Sequence, residues 1–322
     1  MRRFLTCVFL ICLLILPASA EPIKWVDFDV PYESMKYAMD ADIQTFEQEN
    51  HIDWIDVLAI AACRTGGKCG LDSVKKAVAD LKKKGTPQGV LGDENKYFGY
   101  YREAYRAVLG GFLGSFAIQK DGQWVPQYGL KAFCPIAEGF YYSHYDDFGA
   151  DRSFGFKRKH LGNDLLGSQG TPIVAVEGGV VEALGWNRYG GWRVGIRSHD
   201  RKRYYYYAHL QKDTPFAKGL AVGQTVNPGD VIGFMGRTGY SDQENVNNID
   251  INHLHFGMQL IFEESQKECN SEIWIDVYQI VRLLSRHQSS VRKVDGSYQR
   301  VYPLWDLDIT PLPEPQAFCP LP

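Results

Sequence analysis

Apolar residues recur every three to four positions through Met35, Ala38, Met39, Ile43 and Phe46. The same period returns through Ile52, Ile55, Leu58, Ala59 and Ala62, and again through Val74, Ala77, Val78 and Leu81. It marks helices that bury one face. Gly85-Thr86-Pro87-Gln88-Gly89 interrupts the pattern, which resumes over residues 101–113. Residues 21–125 are therefore expected to form a helical domain with a solvated outer side, His51, Asp53 and Asp56 making a polar helix entrance. From about residue 126 the texture changes, with Pro126, Gly129, Pro135 and Gly139 punctuating short aromatic segments. Strands are expected at 173–176, at 180–184 after the turn Glu177-Gly178-Gly179, at 192–197 and at 204–210. A glycine-paced series through Val222, Val226, 231–235 and 254–260 follows. Short strands with turn signals every 8–12 residues imply an antiparallel sheet system over 126–265. The remainder, 266–322, reads as a helix over 274–286 and a Pro-rich tail over 311–322. The fold class expected is α+β.

Composition adds limits. The chain has 322 residues, 45% hydrophobic and 23% charged, with a net charge of −3, which excludes a disordered chain or a membrane bundle. No global basic field is present to recruit nucleic acid. Residues 1–20 read as a secretory signal: Arg2 and Arg3 precede an apolar run of about 13 residues, and Pro17-Ala18-Ser19-Ala20 ends in a small-x-small cleavage pattern. Cleavage after Ala20 would place the mature chain outside the cytoplasm. Five cysteines would remain, Cys63, Cys69, Cys134, Cys269 and Cys319, without zinc-ribbon spacing. Cys63 and Cys69 flank Thr65-Gly66-Gly67, which leaves open either one disulfide or unpaired thiols.

The chemistry lies in the strand-rich half. His160-Leu161-Gly162-Asn163-Asp164 sets an imidazole and a carboxylate four residues apart around a glycine, where a tight reversal brings both to one point. His253-Leu254-His255 falls in a strand pattern, so both imidazoles share a face. His209 closes Tyr204-Tyr205-Tyr206-Tyr207-Ala208-His209, and alternation puts it with Tyr205 and Tyr207. Three ligands drawn from His and Asp, with a fourth position left to water, suit catalytic Zn²⁺, and two further imidazoles would serve as helpers. His144, His199 and His287 read as ordinary surface or core residues.

In this order, His160-x-Gly-x-Asp164, Tyr207-Ala208-His209-Leu210 and His253-x-His255-Phe256 resemble the lysostaphin/LytM-type zinc endopeptidases of bacterial cell walls, the M23 family. Gly170-Thr171-Pro172, Val226-x-Pro-Gly229-Asp230, Gly236-x-Thr-Gly239 and, upstream, Asp147-Phe148-Gly149 with Arg152 also fit; the resemblance covers roughly residues 128–265. It implies one Zn²⁺ per chain on His160, Asp164 and His255, with His209 and His253 as the catalytic pair. The reaction implied is hydrolysis of a peptide bond in a peptidoglycan stem or cross-bridge. Tyr205, Tyr207 and Trp192 would either line the groove or pack within the strands. The sequence departs from the family at 240–252, a polar insert expected to narrow or cover the groove. The alternative function is a non-catalytic scaffold that binds wall or division partners. The role of the helical domain stays open between docking a cell-envelope protein partner, shielding the groove and spacing it from the cell surface.

Overall fold

The computed structural model describes residues 26–309 apart from 27, 94, 155, 269 and 270, so the expected signal and Pro-rich tail lie outside the described residues. Five helices lead: α1 (Tyr32–Thr45), α2 (Trp54–Thr65), α3 (Leu71–Lys84), α4 (Pro87–Leu91) and α5 (Phe98–Leu109). Asp53 caps α2, its side chain accepting from the Ile55 and Asp56 N–H groups, and Gly66 ends it in the left-handed region at φ 63°. With Trp54, Ile55 and all of residues 57–62 buried, α2 is the central helix. In α3 only Val74, Ala77, Val78 and Leu81 are buried, and three lysines end it where they complement the helix dipole.

The helical pattern stops earlier than the sequence suggests. Gly110-Gly111 ends α5, and a hairpin follows, β1 (Leu113–Lys120) and β2 (Gln123–Leu130), turning at Asp121-Gly122 with φ of 49° and 78°. The expected boundary at 125/126 falls inside β2. Next come β3 (Tyr142–His144), β4 (Asp151–Phe154), β5 (Phe156–Lys159), β6 (Asn163–Gly167), β7 (Pro172–Val174) and β8 (Gly179–Asn187). They are followed by β9 (Gly191–Ser198), β10 (Arg203–Ala208), β11 (Thr225–Val226), β12 (Val231–Phe234) and β13 (His253–Leu260). The helix expected over 274–286 divides into β14 (Ile273–Ile275) and α6 (Tyr278–Leu284), because Asp276 stops the strand and turns the chain into the helix. A second hairpin, β15 (Val291–Val294) and β16 (Ser297–Arg300), turns at Asp295-Gly296, and β17 (Leu304–Asp306) pairs with β1.

The fold is α+β. Its main sheet is antiparallel with order β11-β8-β9-β10-β13-β6-β3, and β14 also pairs with β13. One apolar core runs from α2, α3 and α5 to the inner face of this sheet, through Tyr205, Tyr207, Leu254, Phe256 and α6. Cys63, Cys69 and Cys134 carry thiols and form no disulfide with one another.

A buried ion pair joins helices to sheet. Arg203, 1% exposed, donates to both oxygens of Glu177 at 2.7 and 3.0 Å, to the Ala107 carbonyl at the end of α5 at 2.7 Å and to Asp200 at 2.9 Å. The Tyr205 hydroxyl donates to Glu177 at 2.6 Å. Glu177→Ala would leave the guanidinium uncompensated in the interior, and it should lower the unfolding free energy by about 3–5 kcal/mol in urea titrations.

His144 on β3 half-buries its ring against Tyr278, and its Nε2 has no hydrogen-bond partner. Burial pushes its pKa down to about 4, against the pull of Asp147 and with the help of Arg282. The unfolded chain thus takes up the proton first, so the contribution is whole above pH 6.5 and is lost as pH falls toward 4. The slope from this group is at most about 1.4 kcal/mol per pH unit. Denaturation midpoints at pH 7 and pH 4.5 should fall less for His144→Asn than for the parent.

Candidate metal centre

Strand β13 is paired on both flanks. Against β6, His255 lies opposite Asp164 and Leu254 opposite Leu165; against β10, His255 lies opposite Ala208. His253 and His255 face one side while Leu254, fully buried, faces the other. His160 precedes β6, its backbone tied to Ala150 and Gly149. The chain then passes over β13 at Gly162, where a Cβ would sit 2.6 Å from the Phe256 carbonyl oxygen and 2.8 Å from the His255 ring. Glycine is needed there for close approach.

His160 Nε2 lies 2.8 Å from His255 Nδ1 and 3.1 Å from Asp164 Oδ1, which lies 3.4 Å from His255 Nδ1. The three donor atoms fall within 4.8 Å of one another. Asp164 Oδ1 is buried and accepts no hydrogen bond. The Asp147 carbonyl accepts from His160 Nδ1 at 3.1 Å, which turns Nε2 toward the other two donors. Two imidazole nitrogens and an orphaned carboxylate oxygen, without thiolates, form a donor set for a divalent cation.

Asp147 and Arg152 brace the set. Asp147 Oδ1 accepts the Asp164 N–H at 3.2 Å, and Oδ2 accepts from Arg152 at 2.6 Å, which also donates to Asp164 Oδ2 at 3.1 Å. Such partners fix ring and carboxylate orientation. Burial works against charge on His160, yet Asp147 and Asp164 outweigh it and push its pKa up to about 9. Burial alone would raise Asp164, but the surrounding imidazoles hold its carboxyl far below the ordinary range.

His209 corrects an expectation. β10 ends at Ala208, and His209 takes a left-handed backbone, φ 61°, held by Gly190 and Gly236. That single residue reverses the alternation. His209 shares the cleft with Tyr204 and Tyr206, whereas Tyr205 and Tyr207 are fully buried on the other face. Its Nδ1 donates to the Thr238 carbonyl at 2.9 Å and His253 Nδ1 to the Ile251 carbonyl at 2.9 Å, so each presents Nε2 outward. The His209 ring is 4.7 Å from His253 and 5.9 Å from His255, and His253 Nε2 is 3.7 Å from Asp164 Oδ1. Burial first, then His253 and His255, hold the His209 pKa well below its ordinary value. His255 is lowered as well, chiefly by burial.

The five residues border a cleft of about 500 Å³. Of the 240–252 insert, Tyr240 alone lines it; Asn245 accepts from Trp192 and from the Asp213 N–H and pins the rest against the neighbouring loop. Trp192 is not in the cleft lining. Tyr206, Tyr240, Arg158 and Arg193 are lining residues that the sequence pattern did not single out.

Residues 158–269 match the profile of peptidase family M23. This stretch is an M23 peptidase domain. The L-Ala–D-Glu endopeptidase of Bacillus subtilis (strain 168) is 44% identical over 117 residues, 36% of this chain and 34% of that protein. Lysostaphin of Staphylococcus staphylolyticus is 35% identical over 98 residues, 30% of this chain and 18% of that protein. The chain thus spans about a third or less of the length of these curated relatives. A Ruminococcus gnavus structure described as a glycyl-glycine endopeptidase LytM shares the fold at a TM-score of 0.53 and 22% identity, over 80% of this chain and 89% of that one. That likeness reaches well beyond the M23 domain.

Gly162→Ala should press on the His255 ring and lower divalent-metal affinity on the order of 10- to 100-fold, as loss of an orienting contact does. Competition against a chromophoric chelator measures it, and an unchanged affinity would contradict the close approach.

Proposed function

We propose that this chain is an exported zinc endopeptidase that hydrolyses peptide bonds in the stem peptides or cross-bridges of peptidoglycan. One Zn²⁺ would be held by His160 Nε2, Asp164 Oδ1 and His255 Nδ1, with His209 and His253 as the catalytic pair. The observation that carries this reading is Asp164 Oδ1, a buried oxygen without a hydrogen bond and with imidazole nitrogens at 3.1 and 3.4 Å. The M23 match and the name of the Bacillus relative support the substrate class. A bond from an L- to a D-residue does not occur in ribosomally made chains, so a relative named for that bond points to wall peptides.

When bound, Zn²⁺ supplies Lewis acidity toward a carbonyl and a nucleophile at neutral pH. The chain does the rest. Burial keeps His209 neutral, and its Nδ1 hydrogen is committed to Thr238, so Nε2 takes up the proton lost in the attack. The same proton then passes from His209 to the leaving amine, while His253, on the same face as His255, orients the attacking water through Nε2. Arg152 and Asp147 keep His160 and Asp164 in place throughout.

Purified protein should release free amino groups from peptidoglycan, lose this on chelation and regain it with added Zn²⁺. His209→Gln should retain the metal and lower kcat by about 10²–10⁴-fold, the range of general acid–base catalysis. A zinc-loaded parent that binds wall fragments but cleaves none would overturn the enzymatic reading in favour of a scaffold.

A further inference from the structure

The cleft beside the metal centre holds five cationic side chains, and three of them are neutralised locally. Arg152 pairs with Asp147 and Asp164, Lys159 with Asp151, and Lys267 with Glu182. Arg158 and Arg193 make no ion pair among the described residues, and each keeps a buried donor, Nη1 of Arg158 and Nε of Arg193, without a hydrogen-bond partner. The acids in the cleft apart from Asp164 are already engaged: Glu182 by Lys267, and Glu272 by the Trp274 indole at 3.0 Å.

Both guanidinium groups are positioned on aromatic rings that border the reacting centre. Arg158 lies 4.9 Å over Tyr189 and 5.2 Å over Tyr240, and it donates to the Tyr240 hydroxyl at 3.0 Å. Arg193 lies 6.0 Å over Tyr206. Tyr240 in turn meets His209 at 5.9 Å, and Tyr206 meets His255 at 5.7 Å. Each arginine is thus one ring removed from the metal centre or its catalytic pair. Charged donors stripped of water and left without an acceptor are costly, and the group that best satisfies a guanidinium is a carboxylate, which offers charge and paired acceptor oxygens together.

We propose that Arg158 and Arg193 form a carboxylate-binding subsite that seats an acidic residue of the substrate peptide next to the bond cleaved. The proposal rests on the endopeptidase reading and adds to it a substrate class: peptides with a free carboxylate beside the scissile bond, in preference to their carboxamides. A carboxamide keeps the shape but loses the charge and one acceptor.

The test uses two synthetic stem peptides that differ only in a free carboxylate or a carboxamide on the residue following the scissile bond. Wild-type kcat/KM should favour the acid on the order of 10- to 100-fold, the range of one hydrogen bond to a charged group. Arg193→Gln and Arg158→Gln should each pull that ratio toward one, and Arg193→Lys should restore part of it. Calorimetric Kd values for both peptides on zinc-loaded His209→Gln should show the same preference without any turnover. A wild-type ratio near one, or a ratio that both glutamine variants leave unchanged, would overturn the subsite. If wild-type protein cleaves neither peptide nor whole wall, the endopeptidase reading fails, and the calorimetric ratio alone then decides the subsite, equal Kd values counting against it.

Discussion

Strand β13 presents His253, His255, Gly257 and Gln259 on one face and buries Leu254, Phe256, Met258 and Leu260 on the other. A slip of one residue against β6 or β10 would exchange these sets, driving both imidazoles into the core. The register is held by apolar contact: Phe256 packs against Tyr205 and Tyr207, with ring centroids 6.3 and 5.3 Å away. Close approach holds it too, because a Cβ at Gly257 would stand 2.8 Å from the Leu161 carbonyl and 2.9 Å from the Trp274 ring. The pairing that puts His255 beside Asp164 is thus enforced from both faces of the strand, by ring packing on the inner one and close approach on the outer one.

On the outer face, orientation is a main-chain property. His160, His209 and His253 each give Nδ1–H to a backbone carbonyl, of Asp147, Thr238 and Ile251 respectively. A carbonyl only accepts, so every one of these rings turns its Nε2 toward the cleft. Thr238 is itself fixed, its hydroxyl donating to Leu210 and accepting from the Trp192 N–H. Close approach at Gly239, where a Cβ would lie 2.5 Å from the Tyr189 carbonyl and 3.1 Å from His209 Nδ1, leaves room for this arrangement.

How far the sequence reveals this depends on the range of the interaction. His160-x-Gly-x-Asp164 and His253-x-His255 are local patterns in which a glycine turn and a period of two already imply convergence. The face of His209 was not legible, because one left-handed residue overrides the alternation of the four tyrosines and its φ is imposed by Gly190 and Gly236 from other loops. The β1 and β15–β16 segments carried their own turn signals, Asp121-Gly122 and Asp295-Gly296, but Leu113 and Phe116 also continue a helical period. Only Gly110-Gly111 breaks that ambiguity. Arg158 and Arg193 look like any other arginine in the sequence; what distinguishes them is the pairing of their neighbours with acids elsewhere in the chain.

The helices bear on the site through β10. That strand begins at Arg203, locked to Glu177 and to the Ala107 carbonyl in the last turn of α5, and it ends at Ala208, which hands the chain to His209 in the cleft. Between them Tyr205 and Tyr207 anchor inward, on Glu177 and on the Val176 N–H, while Tyr204 and Tyr206 line the cleft. Gly111 lies so close to the Glu177 carboxylate that no side chain fits between them. A shift of α5 against the sheet would therefore move the base of β10, and with it the imidazole at its end. Because the sheet and α2, α3 and α5 share one apolar core, the geometry around Asp164 and His209 is a property of helices and sheet together, and the arrangement of the cleft follows from how the two halves pack.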